Sequence, residues 1–190
     1  MTDQTSQVAK AGMSWAARRL CERLTRRFYA GVYNYLRWLC RDAELAEDLT
    51  QETFLQMWRH PPELRGEKPL KAWVFKVARN EFLQHQRRSG LHTVALEENT
   101  EAQEVGSAST DPAIGLEREA LCQAVQTAVE RLPALYREVI VLHNMEGLPL
   151  ARVAEVLGIP KGTVKSRRAK AVSLLRHMLR EHEVIDDEVR

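Results

Sequence analysis

Apolar residues recur at steps of three and four between Trp15 and Arg41, with Leu20, Leu24, Phe28, Val32, Tyr35, Leu36 and Leu39 on one stripe. That period belongs to a helix with one buried face. Asp42 can cap a second helix running to about Arg59, where His60-Pro61-Pro62 stops it. A loop over Pro61–Pro69 leads to a third helix from Leu70 to about Ser89, ended by Gly90. Residues 91–112 change character: they are rich in Glu, Ser, Thr, Ala and Gly and lack apolar periodicity, which reads as a flexible acidic linker. Periodicity returns at Ile114–Arg131 and Pro133–Met145, then in a closely spaced helix pair whose last member extends through Leu174, Leu175, Met178 and Leu179. No segment alternates as a strand does, and nothing repeats. The pattern predicts an all-α chain of two small helical domains, 15–90 and 113–182, on a tether. A disordered extension (1–14) and an acidic tail (183–190) flank them.

The stretch Leu148–Lys170 has helix-turn-helix spacing. Val153, Ala154 and Leu157 share one face of a short helix, and Gly158 breaks it where a turn needs freedom from Cβ strain. Ile159 and Val164 return apolar groups to the same core, and Pro160 precedes the second helix. Such a pair can present its second helix to the DNA major groove.

Charge sharpens this picture. The 190-residue chain carries a net charge of only +2, so no global basic field attracts nucleic acid. The charge is instead segregated: Lys161–Arg180 holds seven Lys/Arg and no acid, whereas Glu97–Glu119 holds seven acids against Arg118 alone. A cationic helix without compensating acid points to phosphate. Lys165 and Ser166 are placed to reach base edges, with Lys161, Thr163, Arg167 and Lys170 on the same candidate surface; Arg168, Arg176 and Arg180 suit phosphate.

The other helices offer two more candidates. Asp48, Gln51, Glu52 and Leu55 share a face of the second helix, while Leu45, Leu49 and Phe54 point to the core. Spacing alone favours an ordinary solvated face there, but a basic partner could dock on it. The third helix sets Leu70, Trp73, Val74, Val77 and Phe82 against Lys76, Arg79, Asn80, Leu83, Gln84 and Arg87, with Arg88 nearby. Cations beside amides can hold a sugar-phosphate backbone and meet exposed base edges.

Catalytic signals are thin. The six histidines have no metal spacing, and no phosphate loop, nucleophile elbow or dinucleotide turn occurs. The expectation is a non-enzymatic protein without metal or cofactor. Cys21, Cys40 and Cys122 are scattered and read as free buried thiols in a reducing cytoplasm. No apolar run is long enough to span a bilayer, and residues 1–20 lack a signal-peptide core, so a cytoplasmic location is expected.

Together, Glu47–Trp58 (EDLTQETFLQMW), Ala72–Asn80 (AWVFKVARN) with Arg87-Arg88, Leu132–Leu142 (LPALYREVIVL) and Gly162–Arg167 (GTVKSR) resemble, in order and spacing, an extracytoplasmic-function (ECF) sigma factor of the sigma-70 family. The resemblance implies a promoter-specificity subunit of bacterial RNA polymerase. Asp48, Gln51, Glu52 and Leu55 would meet the clamp helices of the largest subunit, and the second domain would meet the flap. The Pro61–Pro69 loop with Lys76, Arg79, Asn80, Gln84, Arg87 and Arg88 would read the −10 element. Lys161, Thr163, Lys165, Ser166, Arg167, Arg168 and Lys170, supported by His143, would read the −35 element. An anti-sigma partner is a further expectation, and membrane insertion is not. Lys170 stands where the family often has Arg, which removes a bidentate fork for guanine. The alternative is a stand-alone helix-turn-helix regulator, which leaves the Asp48–Glu52 motif and the cationic third helix unexplained.

Overall fold

The computed structural model describes residues 14–63, 66–89 and 114–181, without the side chains of 114–120 and 181. Every regular element among these residues is helical. The first helix, α1 (Trp15–Cys40), opens with the Ser14 hydroxyl accepting from Ala17 N at 3.2 Å. Ser14 therefore caps a helix, although the sequence placed it in the extension. The second, α2 (Ala43–Arg59), is capped as expected by Asp42, which accepts from Leu45 N at 3.1 Å.

The third helix, α3 (Glu67–Arg88), begins a turn earlier than expected. Pro69 had marked the loop's end, but it sits in the first turn, where a missing N–H costs no helical hydrogen bond. The next amide, Leu70 N, bonds Gly66 O at 3.3 Å. The expected linker and tail lie outside the described residues, as does the extension up to residue 13.

The C-terminal helices are α4 (Ile114–Arg131), α5 (Ala134–Ile140), α6 (Leu150–Leu157) and α7 (Lys161–Glu181). A π-helical turn, Val141–Met145, continues α5, with Glu146 N bonded to Val141 O five residues back at 2.9 Å. Gly158 closes α6 at φ +67°, in the left-handed region that a β-carbon strains. Val153, Leu157 and Val164 are buried together as the pattern predicted.

The two sets of helices pack directly against each other. Buried residues from Cys21 through Ala78 and from Val129 through Ala171 form a single apolar cluster. The N-terminal three helices (α1–α3) meet the C-terminal four (α4–α7) directly: α3 packs along α6, and α1 touches α5 and the π-helical turn. At one end of this seam Arg137 donates to the carbonyls of Val129, Glu130 and Leu132 and to that of Trp38 across the interface. Arg41 joins it on Glu130 O at 2.7 Å. Two guanidinium groups thus serve the carbonyl ends of α1 and α4, where the helix dipole favours positive charge. Burial, with Arg41 beside it, pulls the Arg137 pKa down to about 10, which leaves it charged at neutral pH.

Among the cysteines, Cys21 is buried, Cys40 is half-buried and Cys122 is exposed. All three are free, but Cys122 departs from the expected burial. No described helix is long and apolar enough to cross a membrane.

Candidate polymerase and nucleic-acid interfaces

On α2 the buried Leu49 and Phe54 turn the opposite face outward. Asp48, Gln51 and Leu55 are exposed there, and Glu52 is partly so. Leu55, 49% exposed, is an apolar group without cover at the edge of an acidic patch. The patch is internally braced. Glu52 pairs with Arg59 at 2.9 Å and accepts from Gln56 at 3.0 Å. Glu47 accepts from Tyr29 at 2.5 Å and from Gln51 at 3.2 Å, which hold its carboxyl below the usual range. The Tyr29 hydroxyl is pushed up to about 12 by that same bond, by burial and by the Glu47 charge.

On α3 the expected cationic face divides. Lys76, Asn80, Arg87 and Arg88 are exposed, and Gln84 is half-buried. Arg79 is different. It lies one turn beyond Phe75 and two beyond Ala72, both buried, on the seam with the C-terminal helices. Its Nε donates to Glu138 Oε1 of α5 at 2.7 Å, with side chains only 16% and 5% exposed. The buried Tyr35 hydroxyl donates to the same carboxylate oxygen at 2.8 Å. Burial alone pulls the Arg79 pKa down, but the charge and hydrogen bond of Glu138 outweigh it and hold the guanidinium protonated. Burial, followed by the Glu138 charge, pushes the Tyr35 hydroxyl well above its ordinary value. Arg79 is therefore not on the outward surface where the sequence placed it, because a buried carboxylate from the other domain takes it.

On α7 the cations behave otherwise. Lys161, Lys165, Ser166 and Lys170 are exposed, while Thr163 and Arg167 are half-buried. Among the described residues Lys161, Lys165, Arg167, Arg168, Lys170 and Arg176 form no ion pair. Arg168 departs from the expected phosphate surface. It stands one turn after Val164 and three residues before Ala171, both fully buried, so its stem lies on the core side. Its Nε is buried without a hydrogen-bond partner. Ser166 Oγ donates to Thr163 O at 3.0 Å within the helix. His143 lies on the π-helical turn, with Nδ1 2.8 Å from Leu148 O, and so braces the entry to α6.

The sequence reading missed Tyr35, Lys71, Glu138 and Glu146. Lys71 pairs with Glu146 at 3.2 Å across the seam. One signal was available: Glu138 stands among Val139, Val141 and Leu142, all apolar, so a carboxylate was bound for a buried face. Nothing local could name its partner, because Tyr35 is 103 residues away.

A helical body that exposes Lys161, Lys165 and Lys170 on a helix following a tight glycine turn has the form of a helix-turn-helix DNA-binding protein. Its relatives make the class specific. Residues 24–91 match the family Sigma-70 region 2, and residues 122–175 match Sigma-70, region 4. The chain is 36% identical to the ECF RNA polymerase sigma factor SigL of Mycobacterium tuberculosis over 154 residues, covering 80% of this chain and 84% of that one. It is 30% identical to SigM of the same organism over 158 residues, covering 83% and 76%. Among solved structures it is similar to the sigma factor RpoE in complex with the anti-sigma factor NepR from Bartonella quintana. That match has a TM-score of 0.64 at 25% identity over 84% of this chain and 96% of that one. CnrH in complex with the cytosolic domain of CnrY shares the fold, with a TM-score of 0.57 at 21% identity over 86% and 90%. The chain belongs to the ECF RNA polymerase sigma factors of the sigma-70 family. The region 2 match falls on α1–α3 and the region 4 match on α4–α7.

Proposed function

We propose that this sigma factor divides its work among three surfaces. The α2 face of Asp48, Gln51, Glu52 and Leu55 docks on core polymerase, where an acidic rim around one exposed leucine suits basic clamp helices. The flap receives region 4. The cationic face of α3 reads the −10 element through Lys76, Asn80, Gln84, Arg87 and Arg88, with Arg79 joining them once it leaves Glu138. The α7 surface of Lys161, Thr163, Lys165, Ser166, Arg167 and Lys170 reads the −35 element. Arg168 anchors that helix by its stem, and His143, on the π-helical turn, braces the entry to α6. A partner of the anti-sigma type, as carried by the RpoE structure, is expected for this chain as well. The protein catalyses no reaction of its own and works in the cytoplasm, where the polymerase is.

The observation that carries the reading is α7: its exposed Lys161, Lys165 and Lys170 have no acidic partner among the described residues, and phosphate is the group that such a surface lacks. Run-off transcription with bacterial core polymerase on a promoter library tests it. Transcripts should appear only when this protein is added. Asp48→Lys with Glu52→Lys should abolish co-migration with core while helicity is retained; retained co-migration removes the α2 face from the proposal.

A further inference from the structure

We propose that the outward face of the first half of α1 is a further nucleic-acid surface, on which Trp15, Arg19, Arg23 and Arg26 hold the opened non-template strand beside the −10 element. The proposal rests on the assignment of α3 and the Pro61–Pro69 loop to that element. α1 holds six arginines, no lysine and a single acid, Glu22. Five of the arginines stand between Arg18 and Arg27, and all five are exposed. Cys21, Leu24 and Phe28 fix the buried side of this segment. Trp15, Arg19, Arg23 and Arg26 follow one another at steps of four, four and three along the opposite side, in a row roughly 16 Å long at about 1.5 Å per residue.

Such a row works against the helix that carries it. Arg19 and Arg23, like Arg23 and Arg26, are equal charges at helical-neighbour spacing, which destabilises a helix. Arg18 closes a first turn that contains no acid, at the end where the dipole disfavours cations. On α6, Arg152 is answered by Glu155 one turn later. Arg18, Arg19, Arg23 and Arg26 form no ion pair among the described residues, so an anion from outside is the group that suits them. Arginine's planar fork fits phosphate oxygens in particular. Trp15 adds a second character. It is 71% exposed, and the Arg19 guanidinium lies 4.9 Å from its ring centre. An indole braced by a cation and otherwise open to water can stack an unpaired base, which selects an opened strand over a duplex. The row also stands in the right place. The Cys21 thiol donates to Met57 O near the end of α2 at 3.7 Å, and Arg27 pairs with Glu67 in the first turn of α3. Residues 21–27 therefore lie against both supports of the Pro61–Pro69 loop, and a strand held by that loop passes within reach of α1.

The test uses holoenzyme reconstituted from core polymerase and the full chain. One promoter fork leaves the −10 element and its flanks single-stranded on the non-template strand; a bubble opens the −10 element alone. The variant combining Arg19→Gln, Arg23→Gln and Arg26→Gln keeps good helix formers and removes like charges, so its helicity and its co-migration with core should be unchanged. If all three side chains meet single-strand phosphates, the slope of log affinity against log salt should become shallower by about 2, so that wild type loses roughly 20-fold more affinity for the fork than the variant does between about 50 and about 200 mM salt. Trp15→Ala should weaken fork binding about fivefold or more without changing that slope. Both effects should shrink on the bubble. An unchanged slope with unchanged affinity for the fork would overturn the proposal, as would equal losses on fork and bubble or a loss confined to core co-migration. Lys76→Ala with Asn80→Ala separates the two levels: a loss there with none in the α1 variants overturns the α1 surface alone, whereas no loss in either set overturns the −10 assignment beneath it.

Discussion

Helices α3 and α7 both read in the sequence as cationic faces, yet they end in opposite conditions. On α7 the cations Lys161, Lys165, Arg167 and Lys170 have no acidic partner among the described residues. On α3 Arg79 is folded against Glu138, and Glu81 on the same helix is buried with its pKa raised by burial and by the Glu52 charge. The difference teaches that a count of cations along a helix measures its field, whereas availability depends on what the rest of the chain lays over it. Region 4 offers its surface as folded; region 2 has part of its surface taken.

The largest perturbation separates the two helices at their foundations. Val164→Asp places a carboxylate at a fully buried position between α6 and α7. It should cost about 4 kcal/mol or more and melt region 4, leaving α1–α3 helical. Hydrogen exchange resolved by segment would reveal equal loss in both regions if the two fold only as a unit.

Next is Glu138→Ala, which leaves the Arg79 guanidinium buried without its carboxylate. The expected cost is about 3–5 kcal/mol for a docked pair. Separation of the domains returns Arg79 to water, so the measured loss in denaturant should stop at the free energy of docking. A full loss with a single cooperative transition would mean that the domains do not part.

Arg167→Ala probes the exposed helix. A bidentate base contact predicts a loss of about 1–3 kcal/mol on the cognate −35 duplex, and a phosphate contact a smaller, sequence-blind one. Salt-dependent binding to specific and random duplexes distinguishes them: equal losses remove Arg167 from base reading.

The smallest effect concerns the carboxylate on the covered helix. Burial, followed by the Glu52 charge, raises the folded-state pKa of Glu81 above the ordinary carboxylate value, so its protonated form is the one the fold favours. Stability from this group is present below the unfolded pKa and is lost as pH rises through the folded one. Glu81→Gln should therefore stabilise the protein modestly at neutral pH and flatten its stability profile just above pH 4.5. An unchanged profile would show that Glu81 titrates as an exposed carboxylate.

Much of this was legible from local pattern. The stripe from Leu20 to Leu36, the Asp42 cap, the Gly158 turn and the acidic face of α2 each depend on residues within a few positions of one another, and periodicity reports such relations directly. The start of α3 was obscured because Pro69 signals a loop at most positions but is tolerated in a first turn. Ser14 was hidden by the polar extension before it. The π-helical turn left no mark in the apolar pattern, yet it sets Glu146 against Lys71 and Gly31.

The sequence by itself determined which helices form, where a helix-turn-helix stands and which segments carry unbalanced charge, because hydrophobic period, caps and charge are properties of neighbouring residues. Only the tertiary structure decided which charges remain free. Tyr35, Arg79 and Glu138 lie far apart in the chain and share one carboxylate oxygen, and a buried charge is satisfied by whichever group the packing brings within hydrogen-bond reach.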